Sequence, residues 1–329
     1  MEISEIISGN KKIVVIPHKS PDGDAISSCL ALQMYLRKKG HEVSIVSPND
    51  FPNFLKWMPN VNGVIDFENN KEEGSKLVAE ADAIFCLDFN TPSRMGDPLW
   101  EVVQKVECPY VMIDHHPYPD DFAQWMLSDT SSCSTAQLIY EFIEMQGDLD
   151  MLDVDIAACI YCGIVTDSGS FRFSSVTART HEIAADLINR GLKHHTVHES
   201  LFDVNTLDRL HLLGYAINEK LKVLPNIPVA VISLSTQEMH RFNAQKGYTE
   251  GLVNYALSVE GVEMAVFLRE DKNMVKLSFR SKGNLAVNEF ASEHFNGGGH
   301  KYAAGGAIFD KNVDEVLAFL EEKITAYLS

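Results

Sequence analysis

Four groups of acidic and histidine residues stand where apolar segments give out in the first half of the chain. Ile13-Val14-Val15-Ile16-Pro17 runs into His18 and then Asp22-Gly23-Asp24, and Ala83-Ile84-Phe85-Cys86-Leu87 runs into Asp88. Tyr110-Val111-Met112-Ile113 runs into Asp114-His115-His116, and Cys162-Gly163-Ile164-Val165-Thr166 runs into Asp167. Carboxylates packed closely repel one another unless cations lie between them. Mixed carboxylate and imidazole donors suit Mn²⁺ or a similar divalent ion better than Ca²⁺ or a structural zinc. The groups offer at least six ligand side chains between them, which favours two metal ions over one. Asp22 and Asp24 flank a glycine, so a tight turn could aim both carboxylates at neighbouring ions. Such a pair, roughly 3.5–4 Å apart, can lower the pKa of a shared water and clamp phosphoryl oxygens during in-line attack.

Taken singly, each of these aspartates has a plainer reading. An Asp that ends a strand is more often a turn residue or a helix cap than a ligand. Asp24 also fits as the cap of the helix it opens, and Asp114 as a carboxylate that orients a histidine. Four groups in four successive elements make coincidence a poor account of the joint pattern.

The elements that must position these residues alternate along the chain. Apolar runs predict strands at Lys12–Pro17, Glu42–Ser47, Ala83–Leu87 and Tyr110–Ile113. Amphipathic stretches predict helices over Asp24–Lys39, stopped by Gly40, and over Lys71–Ala81, Ser134–Gln146, Val154–Thr166 and Thr177–Asn189. This is the pattern of an α/β domain with a mainly parallel sheet flanked by helices. Ligands of open parallel sheets bind beyond the carboxyl ends of the strands, so the first three groups should meet in one crevice. After Gly191 the strand rhythm stops, and Asn205–Val223 reads as a connecting helix. A smaller α/β unit follows, with strands near Val229–Leu234, Glu263–Leu268, Met274–Phe279 and Ala307–Phe309, and a hairpin around Glu270-Asp271-Lys272-Asn273. The expected division is a metal-binding domain at 1–190, a helical linker at 191–227 and a substrate-binding domain at 228–329.

In the second half, Asn296-Gly297-Gly298-Gly299-His300 is glycine-rich, but no Gly-Lys-Ser/Thr follows, so it is not a Walker loop. Glycine runs are mostly turns. The chemistry open to this one is a cradle, because backbone N–H groups without a neighbouring Cβ can turn toward a phosphate. Arg280 and Ser281 offer a guanidinium fork and a hydroxyl for the same purpose. Between residues 269 and 301, six Lys and Arg stand against four Asp and Glu, a window of +2. A solvated charged face accounts for most of those lysines, which leaves Arg280, Ser281 and His300 as candidates beside the glycines. The expected arrangement sets the metal groups and this second phosphate pocket on either side of a cleft that measures substrate length.

Composition narrows the partners. The 329 residues carry a net charge of −18 and are 45% hydrophobic. Wrapping long duplex DNA calls for a basic face. The bulk charge therefore disfavours extended nucleic acid and suits a short single-stranded RNA or nucleotide held by a few groups and metal ions. No apolar run reaches the length of a membrane span. The acidic start, Met1-Glu2-Ile3-Ser4-Glu5, lacks the form of a signal peptide. Six scattered cysteines suit a reducing compartment, so the expectation is a cytoplasmic protein without a membrane partner. Cys159 and Cys162 have redox or zinc spacing but lie in an apolar helical stretch, where buried thiols are the better account. His194, His195 and His198 read as a polar linker surface.

His18-Lys19-Ser20-Pro21-Asp22-Gly23-Asp24-Ala25, Asp88, Asp114-His115-His116 and Asp167 together resemble the DHH phosphoesterase superfamily. Phe279-Arg280-Ser281-Lys282, Gly297-Gly298-Gly299-His300 and Ala303-Ala304-Gly305-Gly306 are similar to its associated substrate domain, DHHA1. The motifs span residues 18 to 306, and the nearest group is that of oligoribonucleases and phosphoadenosine-phosphate phosphatases. The resemblance implies a dinuclear Mn²⁺ site. His18, Asp22 and Asp88 would hold one ion, and Asp24, Asp88, His115 and Asp167 the other, with Asp88 bridging. It implies that His116 contacts the phosphate or assists the leaving group, with Asp114 behind it, and it suggests a homodimer. The expected activity is hydrolysis of short oligoribonucleotides or a nucleoside 3′,5′-bisphosphate. The alternatives are an inorganic pyrophosphatase or polyphosphatase, and a nucleic-acid-binding module with a defunct centre, although no ligand is missing from the set.

Overall fold

The computed structural model describes residues 1–328. The chain divides into two compact units, one of residues 1–204 and one from Asn205 onward. Residues 191–204 therefore belong with the first unit and 205–227 with the second.

The first unit is built on a six-stranded sheet, every neighbouring pair parallel. Its strands are β1 (Lys12–Pro17), β2 (Glu42–Ser47), β3 (Val64–Asp66), β4 (Ala83–Leu87), β5 (Tyr110–Asp114) and β6 (Trp125–Ser128). The order is β3-β2-β1-β4-β5-β6, so the winding reverses between β1 and β4. Strands buried on both faces read as unbroken apolar runs, and β1 shows why. Ile13 and Val15 pack into one core beneath helices Gly23–Lys38, Thr135–Met145 and Val154–Asp167, while Val14 and Ile16 pack into a second core on the other face. Each such fully buried side chain is worth about 1.5–3 kcal/mol. Register brings Pro17 level with Leu87 and Leu87 level with Ile113. The carboxyl ends of β1, β4 and β5 therefore lie side by side.

The second unit carries a mixed six-stranded sheet in the order β11-β12-β10-β9-β8-β7. Its strands are β7 (Lys222–Val223), β8 (Val229–Leu234), β9 (Met264–Asp271), β10 (Met274–Ser281), β11 (Gly298–His300) and β12 (Ala303–Phe309). Only β8 and β9 run parallel, and β9–β10 is the hairpin expected at residues 270–273. The expected long helix at Asn205–Val223 is shorter, spanning Leu207–Tyr215 before a single π-helical turn at Ala216–Lys220 and β7. Among the described residues no helix is long and apolar enough to cross a membrane.

Candidate metal centre

His18 leaves the end of β1 and is 7% exposed. Its Nδ1 lies 2.9 Å from the Lys19 carbonyl oxygen. A carbonyl can only accept, so Nδ1 carries the proton and the Nε2 lone pair is left for another partner. Nε2 faces Asp88 Oδ2 at 3.5 Å and Asp22 Oδ1 at 3.9 Å. Asp22 caps helix Gly23–Lys38, accepting the Ala25 N–H at 3.1 Å. The same logic holds at His115, the first residue after β5. Its Nδ1 meets the Ser132 carbonyl at 3.3 Å, and its Nε2 faces Asp167 Oδ2 at 3.4 Å, Asp88 Oδ1 at 3.5 Å and Asp24 Oδ2 at 4.0 Å.

Asp88 stands between these two histidines. It follows β4 in the left-handed region, at φ 65°, and is 2% exposed. Thr135 Oγ1 donates to its Oδ1 at 2.9 Å. His18, Asp22 and Asp88 form one compact donor group and Asp24, Asp88 and His115 another, the donor atoms within each lying within 4.8 Å of one another. Asp88 belongs to both.

Asp24 is held from behind. Its Oδ2 accepts the Thr135 N–H at 2.6 Å and its Oδ1 the Ala136 N–H at 2.9 Å. These are first-turn amides of helix Thr135–Met145, an end that favours negative charge. Close helix approach makes room for the carboxylate. A Cβ on Gly163 would sit 2.4 Å from Ala136 Cβ and 2.6 Å from Asp24 Oδ1, and one on Gly23 would sit 2.6 Å from the Thr166 side chain.

Asp88, Asp114 and His116 form a further compact group. There, however, His116 Nδ1 is 2.7 Å from Asp114 Oδ1, which makes that nitrogen a donor to a carboxylate. The Asp114 carboxylate thus fixes which way the His116 ring faces and which nitrogen carries its proton. Asp114 is fully buried, and its second oxygen, Oδ2, has no hydrogen-bond partner among the described residues.

The charges are poised for cations. Burial, together with Asp88, Asp167 and Asp22, pushes the Asp24 carboxyl well above the usual carboxylate range. Asp167 is pushed up to about 6 by burial, with His115 opposing and Asp22 and Asp88 adding to the rise. At Asp88 burial also favours the neutral acid, but His18, His116 and His115 outweigh it and hold the pKa well below the usual range. Burial opposes protonation of His18 and His115, yet the surrounding carboxylates raise both. Buried like charges at such spacing are the condition that a divalent ion relieves, and the carboxylate and imidazole donors fit one.

In the second unit Arg280 and Ser281 end β10. Arg280 Nη1 donates to the Phe279 carbonyl at 2.9 Å. Ser281 Oγ donates to the Leu285 carbonyl at 2.7 Å, so its proton is spent within the turn. The glycine run is a short strand rather than an open loop: Gly298, Gly299 and His300 pair with Gly305, Ala304 and Ala303 of β12. A Cβ on Gly297 would lie 2.1 Å from the Gly305 carbonyl oxygen, and one on Gly299 2.5 Å from that of Ala303. The Gly297 N–H is bonded to the Ala291 carbonyl. Strand packing thus accounts for the lack of a side chain at Gly297 and Gly299, and the Gly297 N–H already has a partner within the fold.

All eight acidic and histidine residues singled out in the first half therefore come together. Thr135 and Ala136 were not anticipated, because a backbone N–H leaves no trace in residue type. The one available signal was Ser134, a helix cap that places those amides at an N-terminus.

A model of the N-terminal domain of the DHH family matches residues 12–164, and a model of the DHHA1 domain matches residues 226–326. This chain belongs to the DHH–DHHA1 family of phosphoesterases. A bifunctional oligoribonuclease and PAP phosphatase of Thermus thermophilus is 30% identical over 98% of this chain and 93% of its own length. A protein of the same description from Bacillus subtilis is 28% identical, covering 97% of each chain. Among solved structures, an exopolyphosphatase-related protein from Bacteroides fragilis is 36% identical with a TM-score of 0.93, over 99% of this chain and 95% of that one.

Proposed function

We propose that the protein is a two-metal phosphoesterase of short oligoribonucleotides and nucleoside 3′,5′-bisphosphates, with Mn²⁺ as its divalent ion. The observation that carries this reading is Asp88, shared by two donor groups whose histidines both have Nδ1 engaged and Nε2 turned inward. His18, Asp22 and Asp88 would hold one ion; Asp24, Asp88, His115 and Asp167 would hold the other. When bound, the pair would supply an activated water and positive charge for the phosphoryl oxygens.

The remaining residues act on substrate and ligands. His116 presents Nε2, where it can hold a proton for the leaving oxygen, while Asp114 fixes the ring through Nδ1. Thr135 and the amides of its helix hold Asp88 and Asp24 in place. Arg280 would take a part of the substrate remote from the scissile bond, by charge-assisted hydrogen bonds to phosphate. The two relatives described above support the substrate choice, since both carry that pair of activities in their descriptions across nearly the whole chain. The exopolyphosphatase-related neighbour favours a second reading, hydrolysis of inorganic polyphosphate or pyrophosphate.

One experiment separates them. Metal-loaded protein is incubated with RNAs of increasing length, adenosine 3′,5′-bisphosphate, pyrophosphate and polyphosphate. Release of mononucleotides from the shortest RNAs and of phosphate from the bisphosphate is expected. Turnover confined to the inorganic substrates would overturn the nucleotide reading.

A further inference from the structure

Two cations beside the candidate metal centre have no partner for their charge among the described residues. Lys19 follows His18, and Arg94 lies in the turn Pro92–Met95, which comes soon after Asp88. The Lys19 N–H donates to the Arg94 carbonyl at 2.7 Å, so the two side chains leave backbone positions joined by a hydrogen bond. The turn is firmly built: Thr91 caps it through the Ser93 N–H, and Pro92 opens it. Gly96 ends it at φ 78°, and a Cβ there would lie 2.8 Å from Lys19 Cδ. Glycine thus leaves the path along which the Lys19 stem runs.

Neither the Lys19 ammonium nor the Arg94 guanidinium makes a hydrogen bond or ion pair among the described residues, although the chain has 46 Asp and Glu. Asp22 and Asp88 take neither of them: Asp22 faces His18, and Asp88 faces His18 and His115. Arg94 is half-buried, so its charge is partly withdrawn from water without a counter-ion. A guanidinium fork and an ammonium carried on backbone positions joined in this way are donors suited to a phosphate dianion.

We propose that Lys19 and Arg94 form a second phosphate-holding position beside the metal centre, selecting nucleotides with a phosphomonoester in addition to the scissile phosphate. This rests on the phosphoesterase reading, which places His18 and Asp88 at the reacting phosphate. The ligand class is a 3′,5′-bisphosphate or a 5′-phosphorylated short oligonucleotide, and a dinucleotide without a terminal phosphate leaves the two cations unused.

The test compares kcat/KM on adenosine 3′,5′-bisphosphate, 5′-phosphorylated diadenylate and diadenylate lacking that phosphate. Lys19→Ala, Arg94→Ala, Arg94→Lys and the double alanine variant are each loaded with metal, with metal content and thermal midpoint recorded. In the double variant the loss on the two phosphorylated substrates should exceed the loss on plain diadenylate tenfold or more, chiefly through KM. Arg94→Lys should recover part of it. Equal losses on all three substrates, no loss on the phosphorylated pair, or loss of metal from Arg94→Ala would each overturn the proposal. Should the unaltered protein hydrolyse none of them, equilibrium binding of adenosine 3′,5′-bisphosphate decides the matter. Tenfold weaker binding by the double variant would uphold the position while the phosphoesterase reading fell, and unchanged binding would sink both.

Discussion

Asp114 Oδ1 lies 2.7 Å from His116 Nδ1, both side chains being buried. The contact fixes the orientation of the ring and places the proton on Nδ1. His116→Ala should keep its metal while turnover falls by a factor of roughly 10² or more, the scale of a lost proton-transfer group. Asp114→Asn should retain metal and lose about 10–100-fold through misorientation of the ring. Elemental analysis beside steady-state kinetics checks both, and metal loss from His116→Ala would move that residue into the ligand set.

Asp88 is the carboxylate common to both donor groups. The protein should bind about two divalent ions per chain, and Asp88→Ala should lower that occupancy and abolish hydrolysis. Near-normal turnover in Asp88→Ala would refute the dinuclear assignment.

Gly163 admits Asp24 between two helices. Gly163→Ala places a methyl group 2.4 Å from Ala136 Cβ and 2.6 Å from Asp24 Oδ1. Overpacking of this kind costs about 1–3 kcal/mol. A lower thermal midpoint together with weaker metal binding is expected, and a shift in neither would show that the helices separate freely.

Arg280 is assigned to substrate rather than to the reacting phosphate. Arg280→Ala should cost about 2 kcal/mol more in kcat/KM on a short RNA or the bisphosphate than on bis(p-nitrophenyl) phosphate. Equal penalties would place Arg280 at the scissile bond or in the fold.

Glu238 gives the second unit a pH dependence of its own. Burial disfavours its charge, but Lys220 at 2.8 Å, the Ser235 N–H at 2.8 Å, Tyr215 at 2.6 Å and the Ser235 hydroxyl at 3.0 Å hold its pKa down to about 2. A depressed carboxylate stabilises the fold above its unfolded pKa, here the ordinary 4.5, and loses that contribution as pH falls toward 2. Glu238→Gln should lower stability at neutral pH by about 2 kcal/mol and flatten the acid limb of the unfolding profile. An unaltered acid limb would mean that the cluster persists when protonated.

Strands β1 and β4 were legible to the residue because both faces of each are buried, which writes an unbroken apolar run, and β2 was legible from its apolar Val43, Ile45 and Val46 despite Ser44. Edge strands leave a weaker mark. Trp125–Ser128 alternates half-buried and exposed positions, and Lys222–Val223 is exposed throughout, so neither announces itself in the sequence. The proposed ligand side chains were legible because they stand at element ends: His18, Asp88 and His115 just after strands, Asp22 and Asp24 where helix Gly23–Lys38 opens, and Asp167 where helix Val154–Asp167 closes. The groups that steady them were not. Thr135 meets Asp88 from 47 positions away, and Lys19 meets Arg94 through a main-chain carbonyl. The glycines at 297 and 299 were noticed for their composition, but the reason for them lies in β12, a partner the local sequence does not name.

His18 and Asp167 stand near the two ends of the first unit, and the donor groups tie them to residues on β4 and β5. Ions captured only by the folded form would stabilise that unit by mass action, about 2.7 kcal/mol at a hundredfold excess over Kd. The second unit has its own apolar cores, and the ligand residues proposed above all lie in the first. Chelation should therefore lower one melting transition and spare the other. In a cell, the durability of one half of the chain would follow the supply of divalent metal, and scarcity would expose that half first to proteolysis.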